Sequence, residues 1–142
     1  MTGYSRNGIM RGGGALAPAL KPLYWIGSSR RDLKAFPEDV QDEMGRALLD
    51  AQFGGRSPKA QTLKHFGGGT VLEIVDDFDG STYRGVYTVR FANVVYVLHA
   101  FQKKSTRGIS TPKREMDLVR ARLRQAEQHC RTLQAQEQSE RG

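Results

Sequence analysis

The residues of this chain that are best suited to chemistry are cations, and they are concentrated in one short window. Between positions 102 and 125 eight lysines and arginines face only two acids, so this window carries six of the seven net positive charges. The cations are Lys103, Lys104, Arg107, Lys113, Arg114, Arg120, Arg122 and Arg124, opposed by Glu115 and Asp117. Concentrated positive charge attracts polyanions and speeds their encounter. A solvated helix face gives the same pattern, and the charges alone leave both interpretations open.

Side chains that bind metals are scattered. The three histidines, His65, His99 and His129, lie far apart in the sequence, and Cys130 is the single cysteine. Acids at positions 76, 77 and 79 precede a glycine, as in a solvated turn. One cysteine excludes an internal disulfide and a cysteine-based zinc site. The sequence therefore predicts a protein without metal or cofactor that is located in the reducing cytoplasm.

Short alternating elements must position these side chains. An edge strand is predicted at 21–26, a helical turn after Ser28 or Ser29, and a longer helix that begins near Pro37. A polar connection at 56–66 carries Lys64 and His65 and ends in a glycine turn. It leads into three further predicted strands, at 71–75, 82–91 and 94–101, joined by turns at Asp79-Gly80 and Ala92-Asn93. A last helix follows Pro112 and is expected to fray beyond Thr132.

This order predicts an α+β fold: a mostly antiparallel sheet of about four strands, two N-terminal helices and one C-terminal helix. The helices are expected on one face, leaving the other as a concave groove for a polymer. The packed domain is placed at 21–131, between a flexible extension at 1–20 and a polar tail at 132–142. The longest apolar runs fall short of the roughly 18 residues that a membrane span needs, and the glycine-broken first twenty residues make a poor signal peptide.

Several motifs give the chain a resemblance to a known family. They are KPLYWIGSS at 21–29, LKHF at 63–66, YRGVY at 83–87, LHAFQKKS at 98–105, and TPK at 111–113 followed by RARL at 120–123. On these motifs residues 21 to about 126 resemble the phage-derived, Gp49-like branch of the RelE/HigB/ParE toxin superfamily. The resemblance implies a small RelE/ParE-like α+β domain that acts as a toxin.

The resemblance also implies partners and an activity. A toxin of this kind is held by a cognate antitoxin, expected to carry a helix-turn-helix and an acidic segment, in an assembly that can reach a heterotetramer. Many relatives cut messenger RNA on the ribosome, without metal and by attack of the 2′-hydroxyl on the adjacent phosphate. The ParE branch instead poisons DNA gyrase by binding it, and a catalytically idle nucleic-acid-binding relative is a further alternative. Fold alone does not choose among these. No membrane partner is expected.

Relatives use arginine, lysine, tyrosine and sometimes histidine on the open sheet face and its adjoining loops. Metal-free RNA cleavage needs a base, an acid and cations for the phosphate oxygens, which these types supply. Matching motifs give a catalytic set of Lys64, His65, Arg84, Tyr87 and Lys104. The RNA-binding set is Arg90, Lys103, Lys104, Arg107 and Lys113. No metal ligand is expected.

Three of these assignments compete with a structural interpretation. Arg84 either binds the scissile phosphate, whose geometry its guanidinium matches, or pairs with Glu73 as a surface arginine. Tyr87 either stacks on a base or belongs to the core, which its strand face favours. His99 is either an acid–base group or a histidine satisfied within the sheet.

One position departs from the family pattern. Many Gp49-like toxins have an arginine two residues after the glutamate of the first meander strand, whereas here Val75 follows Glu73 at that spacing. The chain therefore either places the charge elsewhere, at Arg84 or Arg90, or cleaves RNA poorly.

Overall fold

The computed structural model describes residues 4–5, 19–104 and 111–141, and within them the chain forms one sheet and three helices. The strands are β1 (Tyr4–Ser5), β2 (Leu23–Trp25), β3 (Ala60–Thr62), β4 (Val71–Phe78), β5 (Ser81–Thr88) and β6 (Val95–Lys104). The helices are α1 (Ser29–Lys34), α2 (Glu38–Gln52) and α3 (Lys113–Arg141). The predicted α+β class is confirmed.

The strand order is β1-β2-β6-β5-β4-β3, and β2 runs parallel to β6 while the other neighbours are antiparallel. The predicted meander of β4, β5 and β6 is present. The count of about four strands is too low, because β1 lies within the predicted N-terminal extension and β3 within the segment predicted as a polar connection. Two of the three residues of β3, Gln61 and Thr62, are exposed, so it shows no apolar signal.

The meander is joined by one tight turn and one longer connection. Asp79 and Gly80 both have positive φ, 50° and 81°, as a two-residue hairpin turn matched to strand twist requires. Strand β4 therefore extends to Phe78 rather than ending at Val75. The turn predicted at Ala92-Asn93 is instead part of the longer connection 89–94, because β5 ends at Thr88.

Helices cover both faces of the sheet, which corrects the prediction that one face is free. Helices α1 and α2 pack on one face, and α3 packs on the other. The reason lies in β6, which is apolar on both sides: Val95 and Val97 join the core beneath α1 and α2, while Tyr96 and Leu98 join the core beneath α3. No helix of the described residues is long and apolar enough to cross a membrane.

Helix α3 is anchored firmly near its middle. The Arg122 guanidinium donates to the Leu98 carbonyl and to the Ser28 hydroxyl, both at 3.0 Å. It packs against Gly27, where a Cβ would lie 2.7 Å from Arg122 Nε. The helix continues to Arg141, beyond Thr132, where the composition predicted a frayed end. These contacts fix where α3 begins over the sheet, and that point borders the site described next.

Candidate nucleic-acid interface

A cavity of about 710 Å³ opens on the α3 face, between the β3–β4–β5 end of the sheet and the first turns of α3. Its charged lining consists of four cations, one carboxylate and one imidazole, so with histidine neutral the net charge is three positive. These residues are Lys64, Arg84, Lys113 and Arg120, with Glu73 and His65. Such a recess is electrostatically suited to an anionic ligand.

A buried ion pair lies in the lining of the cavity. Arg84 of β5 is 4% exposed and Glu73 of β4 is 1% exposed, and Arg84 Nη1 donates to Glu73 Oε1 at 3.0 Å. The alternative of an Arg84–Glu73 pair is thus present, although it is buried rather than on the surface. Arg84 Nε is also buried and, among the described residues, has no hydrogen-bond partner. A buried donor without an acceptor costs about 1–3 kcal/mol, which makes this group a candidate to receive a ligand oxygen.

The Glu73 carboxylate has further donors. Thr111 Oγ1, just before α3, donates to Glu73 Oε2 at 2.9 Å, and Gln61 Nε2 of β3 lies 3.4 Å from Oε1. One carboxylate therefore connects β3, β5 and the start of α3. The position shows in the sequence only as a single glutamate within an otherwise apolar run, and the functional set drawn from the motifs omits it, together with Thr111 and Arg120.

The loop between β3 and β4 carries two predicted site residues to the rim. Lys64 and His65 are both exposed there, and His65 has a φ of 75°, a left-handed conformation that is costly for a residue with a Cβ. Arg90 holds the end of this loop: its Nη2 donates to the Phe66 carbonyl at 2.6 Å and its Nε to Thr70 Oγ1 at 3.1 Å. Arg90 thus holds this loop while remaining exposed, and its predicted RNA binding stays a prediction.

Of the remaining predicted RNA-binding residues, Lys113 lines the cavity and Lys103 does not. Lys103 is paired in register with Thr82, and burial together with the nearby Arg84 charge lowers the pKa of its ammonium group. Lys113, in the first turn of α3, lines the cavity and donates to Asp117 at 3.0 Å. Lys104 is the last residue of β6, and Arg107 lies outside the described residues.

Two candidate residues, Tyr87 and His99, are buried and do not line the cavity. Tyr87 is 1% exposed on the opposite face, in the core beneath α2, so it does not reach the cavity, and burial raises the pKa of its phenol. The core interpretation of Tyr87 is the right one. His99 Nε2 lies 2.6 Å from Glu115 Oε1 and its Nδ1 lies 3.3 Å from Arg122 Nη1, so both ring nitrogens are satisfied.

Val75, the position at which the chain departs from the family pattern, has a cation beside it in the sheet. Val75 lines the cavity and is directly paired with Arg84 across the β4–β5 ladder. Residues paired in this way lie side by side on one face of a sheet. A cation is therefore available on the neighbouring strand, next to the position where many relatives carry one. Within the described residues no group of three or more histidine, cysteine or acidic side chains is placed to hold a metal ion.

The fold and the cavity define a small α+β protein with a cationic recess on one face of its sheet. The family model described as Phage derived protein Gp49-like (DUF891) matches residues 31–124, so the chain belongs to the Gp49-like family of RelE-like toxins. Membership points to the toxin of a toxin–antitoxin pair. No curated protein and no solved structure matches the chain.

Proposed function

We propose that this protein is a toxin that cleaves messenger RNA at the ribosome in the cytoplasm, without metal, and that a cognate antitoxin silences it. The observation that carries the proposal is the cationic cavity with Arg84 in its lining. Arg84 is buried, held in place by Glu73 and, in the part of the chain that the structure describes, left with an unpaired Nε–H, which is how a protein presents a preorganised donor to developing negative charge.

The side chains around the cavity match the needs of 2′-hydroxyl attack on a phosphodiester. Arg84 supplies directional donors for the oxygens of the scissile phosphate. Lys64 and Lys113, both exposed at the rim, supply charge for that phosphate and its neighbours. His65 is the imidazole of the lining and is the group suited to take the proton of the 2′-hydroxyl or to protonate the leaving oxygen.

RNA docking extends beyond the cavity in this proposal. Lys103, Lys104 and Arg107 continue the positive charge along the chain from β6, and a polymer that enters the cavity passes neighbouring phosphates to such groups. A recessed, buried guanidinium suits chemistry at one phosphate better than it suits docking on the flat surface of another protein. We therefore favour RNA over gyrase as the target.

An antitoxin that silences this site must cover cationic groups. We expect an acidic antitoxin segment to lie over the cavity and the Lys103-Lys104 end of β6, in a complex that can reach a heterotetramer. Hydrogen exchange on the toxin–antitoxin complex should show protection at β3, β4 and the start of α3. Protection confined to α1 and α2 would contradict this arrangement.

Expression without antitoxin tests the activity itself. Translation should stop within minutes, and primer extension should map cuts in messenger RNA at discrete positions. Lys64→Ala should weaken the effect, whereas Lys34→Ala, an exposed lysine of α1 on the opposite face, should not. Intact messages together with gyrase-dependent DNA breaks would instead establish the ParE-like alternative.

A further inference from the structure

We propose that Glu73 is a positioning residue of this site: it holds the Arg84 guanidinium in the orientation that receives phosphate, and it does not contact RNA itself. The inference rests on the proposed function and goes beyond it by assigning a role to a carboxylate that the cationic motifs leave out.

The hydrogen bonds of Glu73 make it poorly suited to act as the catalytic base. Both oxygens are occupied, Oε1 by Arg84 at 3.0 Å and Oε2 by Thr111 at 2.9 Å. A carboxylate that accepts such bonds serves to orient its donors.

Arg84 needs an orienting partner because its side chain is long and its guanidinium is planar. The bond to Glu73 uses one of five N–H groups, through Nη1, and thereby sets the direction in which the others point. Arg84 Nε remains without a protein acceptor among the described residues. Replacing the carboxylate leaves the cation in the lining but frees the guanidinium to turn.

The Glu73 carboxylate also sets the distance between two cations of the cavity lining. Thr111 precedes Lys113 by two residues, at the point where α3 begins, and its hydroxyl is bonded to Glu73. Glu73 therefore fixes the spacing between a cation on β5 and a cation on α3, and both line the cavity. Two phosphate-binding groups on different elements keep one geometry through one shared acceptor.

Because Glu73 neutralises the charge of Arg84, the proposal predicts different effects of its replacement on RNA affinity and on RNA cleavage. The buried pair has no net charge, so Glu73 opposes RNA attraction electrostatically while it supports orientation. Glu73→Gln keeps the shape and one acceptor oxygen but removes the negative charge. RNA affinity should then stay the same or tighten by roughly two- to fivefold, as one added unit of net positive charge allows at short range. The cleavage step should slow by about tenfold or more, because a misoriented donor stabilises the transition state less.

Asp76→Asn is a matched control. Asp76 is a second buried carboxylate of β4, 6% exposed, and it accepts a hydrogen bond from Lys59 Nζ at 2.8 Å. It belongs to the opposite face of the strand, because Lys59 also lies 3.8 Å from Glu43 of α2. This variant neutralises a buried carboxylate of the same strand away from the cavity, so the effect of losing one buried negative charge from the sheet should appear in both variants.

The experiment uses the full-length protein and separates binding from chemistry. Affinity is measured with an oligonucleotide that carries a 2′-deoxy group at the cleavage position, and cleavage is measured in single turnover on programmed ribosomes. The proposal expects slower cleavage with unchanged or tighter binding for Glu73→Gln, and wild-type values for Asp76→Asn. Equal losses in both variants, or a loss for Glu73→Gln that lies only in affinity, would overturn it.

A second measurement does not depend on RNA cleavage, and it uses two variants of Glu73, so that the misfolding of one of them does not prevent the test. The Arg84 Nε–H resonance in a proton–nitrogen correlation spectrum should move on addition of inorganic phosphate to the wild-type protein. The shift should be lost in Glu73→Gln and reduced in Glu73→Asp, which keeps the charge but shortens the side chain. If wild type cleaves no RNA yet shows this dependence, the proposed function fails and the positioning role stands. A phosphate response that is equal in all three proteins refutes the positioning role.

Discussion

Removal of the Arg84 guanidinium should cost this protein a large part of its stability. Arg84→Ala leaves the Glu73 carboxylate 1% exposed in the wild-type packing, with Thr111 and Gln61 as its remaining donors. Breaking a buried pair from one side costs about 3–5 kcal/mol, because an uncompensated charge stays behind. Domains are stable by only about 5–15 kcal/mol, so roughly a fifth or more of the total is at stake.

Urea unfolding measures this cost directly. We expect the midpoint to fall without a large change in the denaturant slope, since the surface exposed on unfolding is nearly the same. The double variant Arg84→Met with Glu73→Gln removes both charges and should recover most of the loss. Lys59→Ala breaks a pair whose lysine is 42% exposed, and it should cost no more than about 1 kcal/mol.

The double variant also separates folding from chemistry. Loss of toxicity in Arg84→Ala mixes unfolding with a missing cation, whereas a folded double variant lacks the phosphate-binding guanidinium and the carboxylate that orients it. It should cleave RNA about 10²-fold more slowly or worse, the usual scale for one preorganised electrostatic group. The reasoning is refuted if Arg84→Ala unfolds within about 1 kcal/mol of wild type, a loss below the buried-pair range. Wild-type cleavage by the folded double variant would remove Arg84 from the chemistry.

Three further outcomes follow from single contacts. Burial lowers the pKa of His129 below the 6.5 of a free imidazole, and its Nδ1 lies 2.8 Å from the Tyr96 hydroxyl. Unfolding therefore takes up a proton as the pH falls through the range between the unfolded and the folded pKa, so the stability of the protein should drop below about pH 6.5. His129→Gln should flatten the drop in urea midpoints between pH 7.5 and 5, and a pH dependence equal to that of the wild type would contradict this. Gly85→Ala should destabilise by about 1–3 kcal/mol in urea, because its Cβ would lie 2.9 Å from Met44 Sδ, and additive rather than compensating effects with Met44→Ala would argue against that clash. Lys64→Ala should reduce the slope of log affinity against log salt for single-stranded RNA by about 0.7, as one lost phosphate contact predicts, and an unchanged slope would place Lys64 outside the RNA path.

The helices and the central strands could be predicted because each has a strong periodic signal. Helix α2 begins directly after Pro37 and buries the residues spaced three and four apart, and α3 does the same from Met116 to Cys130. Strand β3 could not be predicted in the same way. Its pairing with β4 depends on backbone hydrogen bonds at the sheet edge, which leave no pattern in three mostly polar residues.

The side of the sheet that each helix covers was the larger error, and its cause is visible in β6. A continuous apolar strand indicates burial on both faces, which requires covering elements on both. The prediction of helices on one face alone does not meet this requirement. With α3 on the second face, the open groove expected for a polymer contracts to the cavity at the β3–β4–β5 end.

Several cations of the cavity lining could be predicted from the sequence, whereas the involvement of the carboxylate that contacts Arg84 could not. Lys64, Arg84 and Lys113 converge on one cavity, as the motifs implied. The motif that it shares with Arg84 predicts Tyr87 in the site, yet a spacing of three along a strand places two side chains on opposite faces. The sequence indicates Glu73 as an ion-pair partner of Arg84, and nothing in it shows that Thr111 also reaches this carboxylate.

The Arg84–Glu73 pair changes how the cavity attracts its ligand. Because Glu73 neutralises Arg84, the net positive charge of the lining comes from Lys64, Lys113 and Arg120, which stand nearer to solvent. Under the proposed function, capture of RNA depends on these outer cations, and orientation of one phosphate depends on the buried arginine. We therefore expect an acidic antitoxin to silence the protein by occupying the outer cations alone. It need not break the buried pair, so inhibition can be strong while the site beneath stays intact for use once the antitoxin is removed.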